Sequence, residues 1–80
     1  MIFLKDQIGR TQQCKYLVKY PEFQPATQET FWYITAIGYD GIRRTILYSF
    51  NTEEEMHKKF NELSEEYFAQ AKKEIENKKK

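Results

Sequence analysis

The sequence predicts an α+β domain: an antiparallel β-meander of three to four strands followed by one long amphipathic C-terminal helix that packs on one sheet face. Three observations support this prediction. The chain has only 80 residues, which leaves room for one hydrophobic core. Residues 1–50 contain stretches in which apolar and polar side chains alternate as in strands, and residues 52–77 repeat apolar side chains at helical spacing. We therefore treat residues 1–80 as a single domain.

The helix is the clearest element. Its apolar side chains recur at steps of three and four residues, which places them on one stripe. They are Met56, Phe60, Leu63, Tyr67, Ala71 and Ile75. Thr52 followed by Glu55 forms a capping box, in which the hydroxyl and the carboxylate each satisfy a free backbone amide. Because the last turns offer only Ala71 and Ile75 to a core, we expect this end to project beyond the sheet.

Two strands rich in aromatic and β-branched residues precede the helix, at residues 31–38 and 42–50. The turn between them contains Asp40 and Gly41, and it leaves two registers open. A two-residue turn would put apolar side chains on both sheet faces. A three-residue loop with Gly41 in the left-handed conformation would shift the pairing by one residue.

The three-residue loop is the register that we prefer, because it gives one clean apolar face and one mixed face. The apolar face, toward the helix, would then carry Trp32, Ile34, Ala36, Ile42, Ile46, Tyr48 and Phe50. The mixed face would carry Phe31, Tyr33, Thr35, Ile37, Arg43, Thr45, Leu47 and Ser49. In the two-residue turn, Leu47 would instead share a face with Trp32 and Ile34.

The beginning of the chain predicts one further strand and leaves the N-terminal segment open. Residues 14–20 alternate between a largely polar and a more apolar side, and Pro21 is expected to end this strand. Residues 2–4 form either a short fourth strand or a packed N-terminal arm, with Gly9 and the polar residues 10–13 as its exit.

Composition predicts a cytoplasmic protein without a disulfide or a membrane segment. The chain carries 13 basic and 12 acidic side chains, so its net charge attracts neither nucleic acid nor an anionic membrane. Cys14 has no second cysteine to pair with, which suits a reducing compartment. The apolar start at residues 1–4 is shorter than a signal peptide requires, and we expect no such leader.

The reactive side chains predict that the chain is not an enzyme. Cys14 and His57 are the single cysteine and the single histidine, with no evident third group to orient them. They also fall short of the usual ligand number of a metal site. We expect the helix carboxylates Glu62, Glu65 and Glu66 to project into solvent, on an open face where a carboxyl group cannot act as a general acid. We therefore expect no catalytic residue, no metal and no cofactor.

Nucleic-acid binding is an alternative function. The order strand, loop, strand, turn, strand, helix over residues 15–71 resembles the later part of a double-stranded-RNA-binding domain. The final helix of that family opens with lysines that contact phosphates, whereas residues 53–55 are glutamates here. A looser form of the alternative uses the sheet face, with Tyr33 as a stacking platform and Arg43 and Arg44 as phosphate contacts.

Recognition of a larger protein is the function that the sequence favours. Aromatic residues make up 16% of the chain, more than so small a core is expected to hold. Aromatic side chains and Arg among small polar groups are typical of binding hot spots. The mixed face offers such a set in Phe31, Tyr33, Ile37, Arg43 and Leu47. Two structural alternatives would cover this face without another protein. The N-terminal segment could fold over it, or a homodimer could use it.

The segment from Leu47 to Phe50 continues through Asn51 to Glu54 into the long helix. This organisation, over about residues 31–70, is similar to that of small phage and mobile-element proteins, including anti-CRISPR inhibitors. The resemblance implies an inhibitor that occupies a functional surface of a larger host protein and sterically blocks its substrate. The glutamates of the helix edge, Glu62, Glu65 and Glu66, would then mimic nucleic-acid phosphates.

Overall fold

The computed structural model describes residues 1–78 of the chain and the side chains of residues 1–76. In this part the elements are β1 (Phe3–Lys5), β2 (Thr11–Gln13), β3 (Tyr16–Gln24), β4 (Glu29–Ile37), β5 (Arg44–Phe50) and α1 (Glu53–Lys78). β1 and β2 form a two-stranded sheet, and β3, β4 and β5 form an antiparallel meander with β4 in the centre. The predicted α+β fold class, with a meander followed by one helix, is confirmed.

The hydrophobic core lies between α1 and one face of the three-stranded sheet, which we call the inner face. Its buried side chains are Ile2, Leu4, Cys14, Ile34, Ala36, Leu47, Met56 and Leu63. Partly buried side chains that pack against them are Leu17, Trp32, Tyr48, Phe50, Phe60, Tyr67 and Ala71. The predicted stripe of α1 therefore forms its buried side, except that Ile75 is 58% exposed near the C-terminal end.

The start of α1 carries the hydroxyl half of the capping box that the sequence predicts. Glu55 N donates to Thr52 Oγ1 at 3.3 Å, which satisfies one of the free amides of the first turn. In the described residues, no helix is both long enough and apolar enough to cross a membrane.

A β-bulge in β5 fixes which residues reach the core. Thr35 pairs with Ile46 and Ile34 pairs with Tyr48, so Leu47 is an extra residue between the two pairs. A bulge sends two consecutive side chains to the same face of a sheet. Leu47 and Tyr48 accordingly both contact the core, and Tyr48 stacks on Phe50 with ring centres 6.0 Å apart.

The bulge corrects the predicted register of β5. Leu47 was expected on the mixed face as a partner-binding residue, but it is 1% exposed and belongs to the core. Ile46 was expected in the core, but it is 52% exposed on the other face. Both predictions are wrong because the extra residue lies within the strand. Gly41 has a positive φ of 75°, as the preferred loop requires. The loop itself is closed by the hydrogen bond that Gly38 N donates to Arg43 O at 2.8 Å.

β3 continues through Pro21, which pairs with Trp32, so the prediction that Pro21 ends the strand is wrong. β3 is an edge strand, where a residue without an N–H group is tolerated. The polar side of β3 faces α1. Lys19 lies there with its Nζ 4.7 Å from the ring centre of Phe60.

The N-terminal segment forms a hairpin, so the short-strand alternative is confirmed only in part: β1 is a strand, but it is not a fourth strand of the meander, and residues 11–13, predicted as its exit, form β2. Ile2 and Leu4 are buried in the core, and β1 pairs with β2. Several hydrogen bonds hold the hairpin to the rest of the domain. The Gln70 amide bonds the backbone of Phe3, and Gln7 N donates to Leu47 O at 2.8 Å. The hairpin thus joins α1 to β5 on the helix side of the sheet.

Candidate functional site

The face of the three-stranded sheet turned away from α1, which we call the outer face, remains open in the part of the chain that the structure describes. The strand pairing places on it Tyr16, Val18, Tyr20, Glu22, Gln24, Glu29, Phe31, Tyr33, Thr35, Ile37, Arg44, Ile46 and Ser49. Tyr16 is 50% exposed and Ile46 is 52% exposed. Sheets of compact domains normally bury their apolar faces against another layer, so an open apolar face is a candidate contact site.

An aromatic pair lies in the middle of the outer face. Tyr20 and Tyr33 are opposite each other in the pairing of β3 with β4, with ring centres 5.6 Å apart and a tilt of 41°. The buried Thr35 hydroxyl donates to the Tyr20 hydroxyl at 3.5 Å. Tyrosines held in this way present a large contact area and lose little rotamer freedom on binding.

A groove lies at the end of the outer face nearest the turn between β4 and β5. It has a volume of about 300 Å³ and is lined by Tyr16, Val18, Tyr20, Thr35, Ile37 and Arg44. Thr35 and Ile37 are buried at the bottom of the groove, at 2% and 3% exposure, whereas Arg44 is exposed. The groove can therefore accept an apolar side chain beside a fixed positive charge.

The two ends of the outer face carry opposite charges. Arg44 lies at the groove end, and Glu22 and Glu29 lie at the far end, near the turn that joins β3 to β4. The outer-face residues between these ends are uncharged. The face thus combines an aromatic and aliphatic centre with a positive end and a negative end.

The structure brings together only some of the predicted partner-binding residues. Phe31 and Tyr33 lie half-buried on the outer face, and Ile37 is on this face but buried beneath its neighbours. Arg43 is exposed in the turn, outside β5, and Leu47 is in the core.

The helix carboxylates lie apart from the outer face, because α1 covers the opposite side of the sheet. Glu62, Glu65 and Glu66 are exposed on α1, and Glu62 accepts a hydrogen bond from Lys59 at 3.3 Å. The structure therefore does not combine these carboxylates with Phe31 and Tyr33 in one surface.

Sequence reasoning missed the most exposed part of the outer face: Tyr16, Tyr20 and Ile46. Cys14 and Tyr16 are two residues apart, so an unbroken strand would place their side chains on the same face. Instead, Cys14 is buried in the core and Tyr16 faces outward. The chain bends at Lys15, between them, which interrupts the alternation. The composition gave no signal of that bend.

The basic side chains lie on several different surfaces. Lys19 faces α1, Arg43 is in the turn, and Arg44 is on the outer face. Lys5 and Arg10 belong to the N-terminal hairpin and its turn. Of the three residues that the sequence suggested for nucleic-acid contact, Tyr33 and Arg44 share the outer face.

Cys14 and His57 lie in different environments. Cys14 is completely buried, and burial raises the pKa of its thiol to about 11, so the thiol stays protonated and is a poor nucleophile near neutral pH. His57 is at the start of α1, with Nδ1 3.1 Å from Lys19 Nζ and Nε2 3.0 Å from Glu53 Oε1. Among the described residues, no three His, Cys, Asp or Glu side chains are grouped closely enough to hold a metal ion.

A second apolar groove lies between β3 and α1. It has a volume of about 290 Å³ and is lined by Tyr16, Leu17, Phe60, Ser64, Tyr67 and Phe68. Phe68 is 68% exposed there. This groove meets the outer face at Tyr16, which lines both grooves.

Comparisons of the chain with protein-family models, with curated proteins and with solved structures gave no match.

Proposed function

We propose that this chain is a non-enzymatic protein-binding domain whose binding surface is the outer face. One observation carries the proposal: the inner face is covered by α1 and the hairpin, while the outer face leaves Tyr16 and Ile46 about half exposed. Exposed tyrosines beside an arginine are the side chains that most often dominate the energy of protein interfaces.

The outer face suits protein recognition because its strands form a fixed platform. The hydroxyl contact between Thr35 and Tyr20, and the packing of Tyr20 on Tyr33, hold the central aromatics before a partner arrives. Preorganised side chains lose less entropy on binding, so more of the contact energy contributes to affinity.

A narrower form of the proposal follows from the resemblance to anti-CRISPR inhibitors. In that form the bound domain covers a functional surface of a larger protein and blocks its substrate sterically. The contact would use Tyr16, Tyr33, Arg44 and Ile46 on the outer face. The helix carboxylates, on the other side of the domain, would then face away from the contact.

The test is capture from a cell lysate by the tagged chain, with nuclease present and mass spectrometry as the readout. An outer-face variant carries Tyr16→Thr and Ile46→Thr, since Thr keeps a strong strand preference. A matched helix variant carries Phe68→Gln and Ile75→Gln, which removes two exposed apolar side chains elsewhere. We expect the wild type and the helix variant to capture the same protein and the outer-face variant to lose it.

Two results would contradict the proposal. Equal capture by the outer-face variant would show that binding does not use this face. Capture that disappears from the wild type when nuclease is added would favour the nucleic-acid alternative, with Tyr33, Arg43 and Arg44 as the residues to replace next. Circular dichroism of each variant checks that the fold is retained.

A further inference from the structure

We infer that the partner that fits the outer face is a second copy of this chain, packed face to face about a two-fold axis that crosses the strands. This inference rests on the proposed function, because it names the partner of the same face. Such a dimer is isologous, so the surface must be complementary to itself.

The pairing of the strands arranges the outer face in rows. Tyr16, Ile37 and Arg44 form the row at the groove end; Val18, Thr35 and Ile46 form the next; Tyr20, Tyr33 and Ser49 follow; and Glu22 lies beside Phe31 beyond them. Glu29, opposite Gln24, ends the face. Positive charge therefore lies at one end, negative charge at the other, and uncharged rows lie between.

This order of charges selects one arrangement of two copies. A two-fold axis across the strands reverses the order of the rows but keeps each strand over its own counterpart. The positive end of one copy therefore lies over the acidic end of the other, with Arg44 on β5 diagonal to Glu29 on β4 and Glu22 on β3. A two-fold axis along the strands would keep the order, so that both Arg44 side chains lie at one end of the contact and the acidic side chains of both copies lie at the other, where like charges repel. Only the first arrangement is complementary in charge.

The same reversal brings complementary shapes together. When the axis passes between the row of Val18 and the row of Tyr20, the row of Tyr16, Ile37 and Arg44 lies against the row of Glu22 and Phe31 from the other copy. The groove of about 300 Å³ in the first row can then receive that half-buried aromatic ring. The central rows stack on each other, and two sheets packed in this way lie about 10 Å apart.

The size of the face predicts a dimer of modest affinity. The longest strands have 9 residues, about 30 Å at ~3.3 Å each, and three strands span about 14 Å. The resulting projected area is roughly 400 Å², below the ~800 Å² per partner of a standard stable interface. We therefore expect monomers and dimers in exchange, with the dimer favoured as the concentration rises.

The test is analytical ultracentrifugation of the intact chain at low salt, from about 5 µM to about 500 µM, a range that covers a weak interface of this size. We expect the average mass of the wild type to rise toward that of a dimer. Arg44→Glu should weaken association at least about tenfold, because it places like charges at both ends of the contact. The variant with Glu22→Lys and Glu29→Lys should be weakened for the same reason. An equimolar mixture of the two variants should associate again, since opposite charges then meet.

The inference is overturned by a wild type that remains monomeric at the highest concentration. It is equally overturned by association that both charge variants retain, or by association that the Phe68→Gln, Ile75→Gln helix variant loses. A mixture of the charge variants that stays monomeric overturns the proposed pairing. None of these results affects the proposed function. Lysate capture that depends on Tyr16 and Ile46 would still support binding of another protein through this face.

Discussion

Leu47 and Tyr48 are consecutive residues of β5, yet the side chains of both contact the core beneath α1. The bulge between the pairs Thr35–Ile46 and Ile34–Tyr48 causes this arrangement, since it adds one residue to β5 and none to β4. It also turns Ile46 outward, so that two neighbouring aliphatic residues serve different surfaces.

The bulge predicts opposite results for two neighbouring substitutions. Leu47→Ala should lower the free energy of unfolding by about 2–5 kcal/mol, because it removes a fully buried side chain and leaves a cavity. Ile46→Ala should cost less than about 1 kcal/mol, since its side chain is about half exposed and the main loss is strand preference. Urea unfolding of both variants measures the difference. Equal losses would mean that the two side chains share one environment, contrary to the structure.

Local patterns in the sequence predict α1 well. Its buried stripe and its cap at Thr52 depend on contacts within a few residues, and those contacts follow directly from residue spacing. The faces of β4 are also predictable, since Trp32 and Ile34 lie inward and Tyr33 lies outward with unbroken alternation.

The remaining strand faces are set by features that spacing does not encode. Either Ile46 or Leu47 could satisfy a core position, and only the pairing with β4 decides between them. Similarly, the bend at Lys15 separates Cys14 from Tyr16, and the edge position of β3 admits Pro21. The candidate site was therefore predicted in part, because its β4 residues follow the alternation while those of β3 and β5 depend on tertiary structure.

Burial of Cys14 predicts protection from thiol reagents. The side chain is completely buried and its pKa is raised to about 11 by burial, so the reactive thiolate is scarce in the native protein. Reaction with an aromatic disulfide reagent at pH 8 should be slow in buffer and fast in denaturing urea. Rapid reaction of the folded protein would show that the core around Cys14 opens readily.

The same burial predicts a loss of stability at alkaline pH. An unfolded chain releases the thiol proton near pH 8.5, as ordinary cysteines do. The native chain holds this proton until about pH 11. Because the unfolded state then binds fewer protons, stability falls as pH rises through this interval. Cys14→Ala should lower stability at pH 7 through lost packing but flatten the alkaline decline. Parallel curves for the two proteins from pH 8 to pH 11 would contradict the assignment.

The hydrogen bonds of Asp6 predict that the stability of the protein falls at acidic pH. Burial alone would raise the pKa of its carboxyl, but hydrogen bonds outweigh this effect and lower it. The donors are Arg10 N at 2.8 Å, Gln12 Nε2 at 3.1 Å and Ile8 N at 3.1 Å. A lowered pKa stabilises the native state at pH values above about 4, and this stabilisation is lost as pH falls through the native pKa.

Asp6→Asn tests this dependence, because the amide keeps one oxygen for the backbone donors but carries no charge. The variant should be less stable than the wild type at pH 7, and the difference should shrink below about pH 4. Asp40→Asn is the comparison, since hydrogen bonds from Arg43 and Ile42 lower the pKa of that exposed carboxyl. Asp40→Asn should also be less stable than the wild type at pH 7, but by a smaller amount than Asp6→Asn. Thermal melts across the pH range would reveal either pattern, and a constant gap for Asp6→Asn would contradict the account.

The hydrogen bonds of Gln70 are expected to stabilise the attachment of the N-terminal hairpin to α1. Its amide accepts from Phe3 N at 3.1 Å and donates to Phe3 O at 2.7 Å, so one side chain satisfies both backbone groups of an edge residue. Gln70→Ala should cost about 1–2 kcal/mol, the net contribution of two such bonds. The neighbouring exposed Lys73→Ala is the control and should change stability little.

Hydrogen exchange should locate the effect of Gln70→Ala in the hairpin. Removing the amide frees Phe3 from α1, but it leaves the pairing of β3, β4 and β5 untouched. Exchange should therefore accelerate at the amides of β1 and β2 and remain slow in the centre of β4, because local opening and global unfolding have separate free energies. Equal acceleration in β4 would mean that the hairpin and the meander unfold as one cooperative unit, with Gln70 contributing to the stability of the whole domain.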